Sequence, residues 1–384
     1  MASPSPLMDE LVEEVLLLLP PNTPASLVRA GLVCKRWCHL VSDPGFRRRF
    51  REFHRSLPAT TLGFLCSYSP AEGGNTRFVP TPASPLRRAN HRAFQADSRH
   101  GRILLHGYLA STVASGLVVW DPIADERIGL PRPPLFLDSL NAAVLCAAAS
   151  AAPGASACDH TDCPFVVVLV GTRGDHVFSC VYSAAAAAWG EPASAPHSGC
   201  GMIRRTRSAL VGAALYFVFL CGERILEYDL RTKATSVIAL PRARTSLPFR
   251  LFGPVELTTM EDGWLGFARV EKSRLCLWSR QVENDAGWAL SKSIDLEKVI
   301  PVQRPWTTRP YLVGSAAEGV GAVFLMPEDQ LFMVDLRSGR ATKVYGHPRT
   351  ASLDMVVPYM NFFTPVLMKA PSTDGIPGLQ ERVP

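Results

Sequence analysis

Apolar residues recur at helical spacing mainly in the first fifty residues of the chain. From Leu7 to Leu19 they fall at Leu7, Leu11, Val15, Leu18 and Leu19, with Asp9, Glu10, Glu13 and Glu14 early in the segment, where a helix dipole favours carboxylates. This predicts one short amphipathic helix. Thr23-Pro24 reads as an N-cap and first-turn proline opening a second helix with Leu27, Ala30 and Leu32 on one face. A third stretch carries Val33, Trp37, Leu40 and Val41, and Ser42-Asp43-Pro44 ends it and caps a further turn through Phe46 and Phe50. Three helices in so short a span make a small core, so their leftover apolar surface is expected to be covered by a partner or by the next domain.

Beyond Pro58 the periodicity switches. Short β-branched and aromatic runs alternate with Gly, Pro, Asp and Ser, which predicts an all-β domain over residues 59–369 after a helical domain over residues 1–58. Several segments share one shape: an apolar strand, an Asp or Ser turn, and a second strand. The clearest are Val118-Val119-Trp120-Asp121 leading to Leu130-Pro131, and Leu226-Glu227-Tyr228-Asp229 leading to Leu240-Pro241. Weaker instances are Val181-Tyr182-Ser183 before Trp189, Leu277-Trp278-Ser279 before Trp288, and Met333-Val334-Asp335 before Val344. In the turns Asp229-Leu230-Arg231-Thr232-Lys233 and Asp335-Leu336-Arg337-Ser338-Gly339 the carboxylate is placed to accept backbone N–H groups, and Gly339 supplies a positive φ. With a blade near Leu62 to Val79 and Leu353 to Phe363 as a closing strand, the pattern predicts a β-propeller of about six blades, since a ring leaves only short edges exposed. Seven blades and a β-sandwich pair are the competing architectures. The Ala- and Ser-rich stretches 142–157 and 184–188 read as loops, and residues 370–384 as a disordered tail.

The ordered set Leu7-Met8-Asp9-Glu10-Leu11 through Leu19-Pro20, then Ser26-Leu27-Val28-Arg29, Val33-Cys34-Lys35-Arg36-Trp37 and Asp43-Pro44-Gly45-Phe46, resembles the F-box motif. One departure is Met8, where F-boxes usually carry proline. The resemblance implies that Leu7, Leu11, Val15, Leu19, Pro20, Leu27, Val33, Cys34 and Trp37 share between them the helical core and the groove that meets a Skp-type adaptor, and through it a cullin. Read alone, Trp37 is as well explained as a core residue. Gly101-Arg102-Ile103-Leu104-Leu105-His106, Trp120-Asp121-Pro122 and the later Tyr-Asp-Leu element look like the propeller-like region that follows the F-box in a large plant family. That half of the resemblance implies architecture more than function, because the family's targets vary.

Composition changes little in this picture. Hydrophobic residues make up 47% and charged residues 19% of 384, while 32 prolines and 28 glycines suit many turns. A net charge of +6 without an aromatic-and-basic stripe argues against a nucleic-acid partner. The basic run Arg47, Arg48, Arg49, Arg51 and Arg55 reads as a solvated helix face, with an acidic partner surface as the second reading. No apolar run reaches the length of a membrane span, and the acidic start of the chain is unlike an export signal. Ten scattered cysteines, several inside apolar runs (Cys146, Cys180, Cys221, Cys276), suit a reducing compartment, cytoplasmic or nuclear.

Candidate chemistry is sparse. Cys158-Asp159-His160-Thr161-Asp162-Cys163 offers metal-ligand types but no second ligand pair, so no metal and no cofactor is expected. His106, His176 and His197 read as ordinary loop or strand-end histidines, and neither a nucleophile elbow nor a phosphate-binding loop is present. A non-catalytic adaptor subunit of a ubiquitin ligase with an unknown protein target is the leading expectation. A propeller scaffold or ligand-binding module outside ubiquitin ligation is the alternative. Trp264, Trp306 and Tyr311 are candidate target anchors, with packing inside the blades as the fate each would otherwise have.

Overall fold

Four short helices precede a ring of six β-sheets. The computed structural model describes residues 8–57, 59–68, 75–108, 115–148, 163–197, 199, 201–241, 255–280, 287–301, 310–315, 321–327, 330–344 and 353–365. The helices are α1 (Asp9–Leu17), α2 (Pro24–Gly31), α3 (Lys35–Ser42) and α4 (Pro44–Phe53). The turn expected after Pro44 is thus a ten-residue helix. Asp43 starts it by accepting the N–H groups of Gly45 and Phe46 at 2.7 and 3.1 Å, and Phe46 and Phe50 fill its buried face. Val33 and Cys34, expected within the third helix, lie in the turn before it, and Leu32 caps α2 from outside. Thr23 occupies the N-cap of α2 but its hydroxyl donates to the Pro20 carbonyl instead of capping.

Each of the six sheets is an antiparallel blade. Five are built from consecutive strands: β4 (Ala93–Arg99), β5 (Arg102–Tyr108), β6 (Ser115–Asp121) and β7 (Glu126–Gly129); β8 (Ser139–Cys146), β9 (Phe165–Arg173), β10 (His176–Ser183), β11 (Ala188–Trp189) and β12 (Ala193–Pro196); β13 (Ala209–Val211), β14 (Ala214–Val218), β15 (Arg224–Asp229) and β16 (Thr235–Ala239); β17 (Glu256–Thr259), β18 (Leu265–Glu271), β19 (Arg274–Arg280) and β20 (Trp288–Asp295); β21 (Tyr311–Ser315), β22 (Ala322–Met326), β23 (Phe332–Asp335) and β24 (Ala341–Lys343). A one-turn helix, α5 (Leu296–Val299), follows β20. The sixth blade joins the two ends of the β-domain, in the order β25 (Leu353–Asn361), β1 (Thr60–Tyr68), β2 (Thr76–Pro80), β3 (Ala89–His91). The closing strand read at Leu353 to Phe363 therefore pairs with β1, from Thr60 opposite Asn361 to Tyr68 opposite Leu353.

Alternation along the strands explains why so many runs are apolar without a break. Ile103 and Leu105 pack with Phe78 and Tyr359 of the closing blade, whereas Leu104 between them packs with Val144 and Val167 of the next blade. Each blade is buried on both faces, so both sets of alternate positions must be apolar. One such cluster lies between every pair of neighbouring blades. The same logic corrects the loop expected at 142–157, because Ala142 to Cys146 form buried β8, small residues in a strand pressed between two neighbours. Ala184 to Ala187 do form a turn, with Ala187 at φ 51°.

Asp turns close the blades as expected. Asp229 Oδ1 accepts from the N–H groups of Arg231 and Thr232 at 2.8 and 2.7 Å, and Asp335 Oδ1 accepts from the Ser338 N–H at 2.6 Å. Asp121 accepts from the N–H groups of Ile123 and Ala124 in the same way. Gly339 takes φ 71°, and Lys233 bears the equivalent strain at φ 59°.

The helices are fastened to the ring. Val28 of α2 packs against the cluster that holds Leu62, Phe78 and Tyr359. Thr60 Oγ1 donates to the Pro21 carbonyl at 3.1 Å, and Arg47 Nε donates to Thr364 Oγ1 at 3.2 Å. Buried His54, just after α4, hydrogen-bonds through Nε2 to the Leu17 carbonyl at 2.9 Å. The 370–384 tail lies outside the described residues, and among those described no helix is long and apolar enough to cross a membrane.

Candidate functional site

Among the described residues two regions stand out: an apolar face on the helices and a buried charged cluster at the ring centre. The first is the helical face. Val12, Leu16, Leu27, Ala30, Val41, Phe46 and Phe50 form its core, with Leu17, Leu19, Trp37 and Leu40 packed partly against them. At about 100° per residue, Val12 and Leu16 turn inward while Met8, Leu11, Val15 and Leu18 form an adjacent stripe along α1. That stripe is open to solvent, as are Leu32 and Val33 in the turn between α2 and α3. Val15 is 61% exposed and Leu32 79% exposed, high values for aliphatic side chains next to a core.

The nine residues read from the sequence thus separate by role. Leu27 is core; Leu19 and Trp37 are half-buried at its margin; Leu11, Val15, Pro20, Val33 and Cys34 are exposed; Leu7 lies outside the described residues. Val12 and Leu16, the true core positions of α1, were missed, although their four-residue spacing is itself helical. Leu18 continues the exposed stripe, and Leu32, expected on one face with Leu27 and Ala30, stands past the end of α2 and points to solvent. Ion pairs frame the face: Arg36 with Asp9 links α3 to α1, and Arg49 with Glu13 links α4 to α1. In the basic run Arg47 and Arg49 are paired within the protein, although Arg49 is exposed, as are Arg48 and, past the end of α4, Arg55.

The second region is the ring centre. β25, β4 and β8 adjoin in turn there, as do β13, β17, β21 and β25. Asn141 Nδ2 closes the gap between β8 and β13, donating to the Arg204 and Thr206 carbonyls at 2.9 and 2.7 Å. Buried Asp97 on β4 pairs with Arg99 on the same strand and with Arg207 Nε at 3.3 Å, and accepts the Val144 N–H at 3.2 Å. Arg99 donates onward to the Ser208 carbonyl, and Arg207 to the Ser98 carbonyl at 2.8 Å. Three blades are stitched together by one carboxylate and two guanidiniums.

Beside them, Glu256 on β17 is 2% exposed and its Oε2 meets no hydrogen-bond donor among the described residues. Burial pushes its carboxyl up to about 7, with Arg204 and Arg207 pulling it down. Burial pushes the His106 imidazole down to about 3, and Arg205 adds to the shift. His106 is accordingly a neutral residue inside β5, not a loop or strand-end histidine. His197 is also buried, while His176 is exposed at the start of β10. Asp97, Arg99 and Arg207 compensate one another's charge and hold neighbouring blades together.

Other candidates are dispersed. Trp264 is 43% exposed in the turn between β17 and β18, so it is not packed into its blade. Tyr311 packs partly against the cluster around Phe324, and Trp306 lies outside the described residues. Of the Cys158–Cys163 segment only Cys163 is described, and among the described residues no three His, Cys, Asp or Glu side chains gather to hold a metal ion.

Comparison with known proteins accords with both halves of the architecture. Residues 9–52 match the family described as F-box-like. F-box protein At5g03970 of Arabidopsis thaliana is 21% identical over 373 residues, covering 90% of this chain and 85% of that protein. Among solved structures, a chain of a nidogen/laminin complex (8% identity, TM-score 0.44, 78% of this chain and 98% of that one) and a Bacteroides caccae protein of unknown function (10% identity, TM-score 0.44, 78% and 99%) are similar only loosely, and bear on nothing further. The family described as F-box protein AT5G49610-like, beta-propeller, matches residues 96–367, most of the chain, and with an F-box-like segment ahead of it this chain belongs to that plant-type family of F-box propeller proteins, whose architecture points to a non-catalytic role in substrate recognition.

Proposed function

We propose that the chain is the substrate-recognition subunit of a Skp–cullin–F-box ubiquitin ligase, acting in the cytoplasm or nucleus. The observation that carries this reading is the uncovered apolar stripe Met8, Leu11, Val15 and Leu18 on α1, with Leu32 and Val33 exposed in the next turn, all beside an F-box-like core. Such a surface is costly in water and is offset when an adaptor covers it. The adaptor then links the chain to a cullin. Catalysis stays with other subunits, and this chain contributes proximity by holding a protein target near the charged ubiquitin carrier.

Topology suggests where the target sits. β1 starts at Thr60 beside the helices, and β25 ends there at Asn361; the Tyr359 hydroxyl on β25 donates to the Gly101 carbonyl in the turn after β4. The first-to-second-strand turns therefore lie toward the helices. By alternation, the second-to-third-strand connections, such as 174–175, 219–223 and 272–273, open on the far side, where Leu220 is exposed. We assign target binding to that far face.

Co-purification of the full chain with a Skp-type adaptor tests the docking half. Val15→Asp and Leu11→Asp should weaken capture at least tenfold while leaving the melting midpoint unchanged, because both side chains are exposed. Undiminished capture by both variants would remove the basis for the proposal and favour a scaffold outside ubiquitin ligation.

A further inference from the structure

Cys146 and Cys163 bracket the connection from β8 to β9, and their Sγ atoms lie 2.7 Å apart. We propose that they are a redox modification site: a mild two-electron oxidant such as hydrogen peroxide joins them in a reversible disulfide that staples the ends of segment 147–162.

The backbone holds both residues in place before any oxidation. Cys146 is the last residue of β8 and stands opposite Phe165, the first of β9. The Ala147 N–H donates to the Pro164 carbonyl at 2.8 Å, extending the ladder past both strand ends toward Cys163. The neighbouring blade clamps the pair from its β4–β5 hairpin: His100 Nδ1 in the turn accepts the Cys146 N–H at 3.1 Å, and Arg102 Nη2 at the start of β5 donates to the Cys163 carbonyl at 2.6 Å while its guanidinium lies over the Phe165 ring. A disulfide needs its sulfurs about 2.05 Å apart, so little movement separates the two states. Cys66, Cys180 and Cys276, the other buried thiols, have no such sulfur neighbour among the described residues. Burial raises the thiols of Cys66, to about 12, and of Cys180 and Cys276.

Access sets the order of events. Cys163 is half-buried and Cys146 is fully buried. The Cys163 thiolate attacks a peroxide oxygen, releasing the first water and leaving a sulfenic acid. The Cys146 thiolate then attacks that sulfur and displaces its oxygen as the second water. Two thiols and one hydrogen peroxide become one disulfide and two waters, with two electrons passing from sulfur to oxygen. A dithiol reductant returns the pair to thiols by exchange. Closing a loop of this size constrains the unfolded chain and stabilises the fold.

The experiment uses the full chain treated with hydrogen peroxide, followed by alkylation of the remaining thiols and peptide mapping. The expected product is a linked peptide pair carrying Cys146 and Cys163, a chain lighter by two hydrogens, reversal by dithiothreitol, and a melting midpoint raised by on the order of 5 °C. Cys163→Ser and Cys163→Ala should both lose the linked pair and the rise. Complete alkylation of both cysteines after peroxide, linkage of Cys163 to Cys158 instead, or an unchanged midpoint in the linked protein would each overturn the proposal.

Discussion

Glu256 is a buried carboxyl at the ring centre whose charge state bears on stability. Its folded value is raised to about 7, so its contribution runs opposite to that of an ordinary paired carboxylate. Below the usual glutamate range, near 4.5, folded and unfolded chains both hold the proton and stability is full; as pH rises through about 7 the unfolded chain has already ionised, and stability is lost. The shift corresponds to roughly 3 kcal/mol at most. Glu256→Gln should therefore match the wild type at pH 4 and melt above it at pH 8, as followed by thermal unfolding at both pH values. Asp335 has the opposite sign. Hydrogen bonds from Ser338 hold its carboxyl below the ordinary aspartate value, so what it adds is present above pH 4 and drains away under more acid conditions. Asp335→Ala should cost on the order of 1 kcal/mol in denaturant unfolding at neutral pH. The Asp turns were legible because a carboxylate and its N–H partners lie within three residues. The cluster of Asp97, Arg99, Arg207 and Glu256 was not, because Asp97 and Arg99 of one blade meet Arg207 and Glu256 of other blades only when the ring closes.

At the scale of elements, α1 has two apolar stripes with different tasks. Leu11 and Val15 face solvent while Val12 and Leu16 face the core, yet all four sit at helical spacing, so periodicity predicts the helix without dividing its faces. Leu16→Ala, by contrast with the surface variants, should destabilise the helical module by about 3 kcal/mol, visible as early loss of helical circular dichroism. β8 shows the reverse difficulty. Ala142 and Ala143 carry a weak strand signal, and small side chains there suit a strand squeezed on both faces, a fact set by neighbours far away in sequence. Gly314 on β21 is another case of contact deciding identity. A Cβ there would collide with the Val356 carbonyl of β25, so Gly314→Ala should cost about 2 kcal/mol and act at the junction of first and last blades. Hydrogen exchange in β21 and β25 should rise more than in β9.

For the molecule as a whole, the coupling of helices to ring matters as much as either part. Val28, Thr60, Arg47 and Thr364 join α2 and α4 to the closing blade, so a target bound as proposed on the far face would keep a fixed orientation to the apolar stripe of α1. Val28→Asp should loosen that joint: trypsin would release the helical segment near Arg55 faster, while the propeller's thermal transition stays in place. The two-part layout was legible because the hydrophobic period changes near residue 58; the joint was not, since Val28 looks like any other residue of a helix face. The order of the closing blade carries one more consequence, in time. β1, β2 and β3 leave the ribosome hundreds of residues before β25, their inner partner. During synthesis the helical module can fold while the first blade still shows a bare strand edge at β1, and the ring can latch only after Asn361 has emerged. A chain cut short before Leu353 would keep that edge open, a hydrogen-bonding strip that chaperones can bind and that other incomplete chains can pair with.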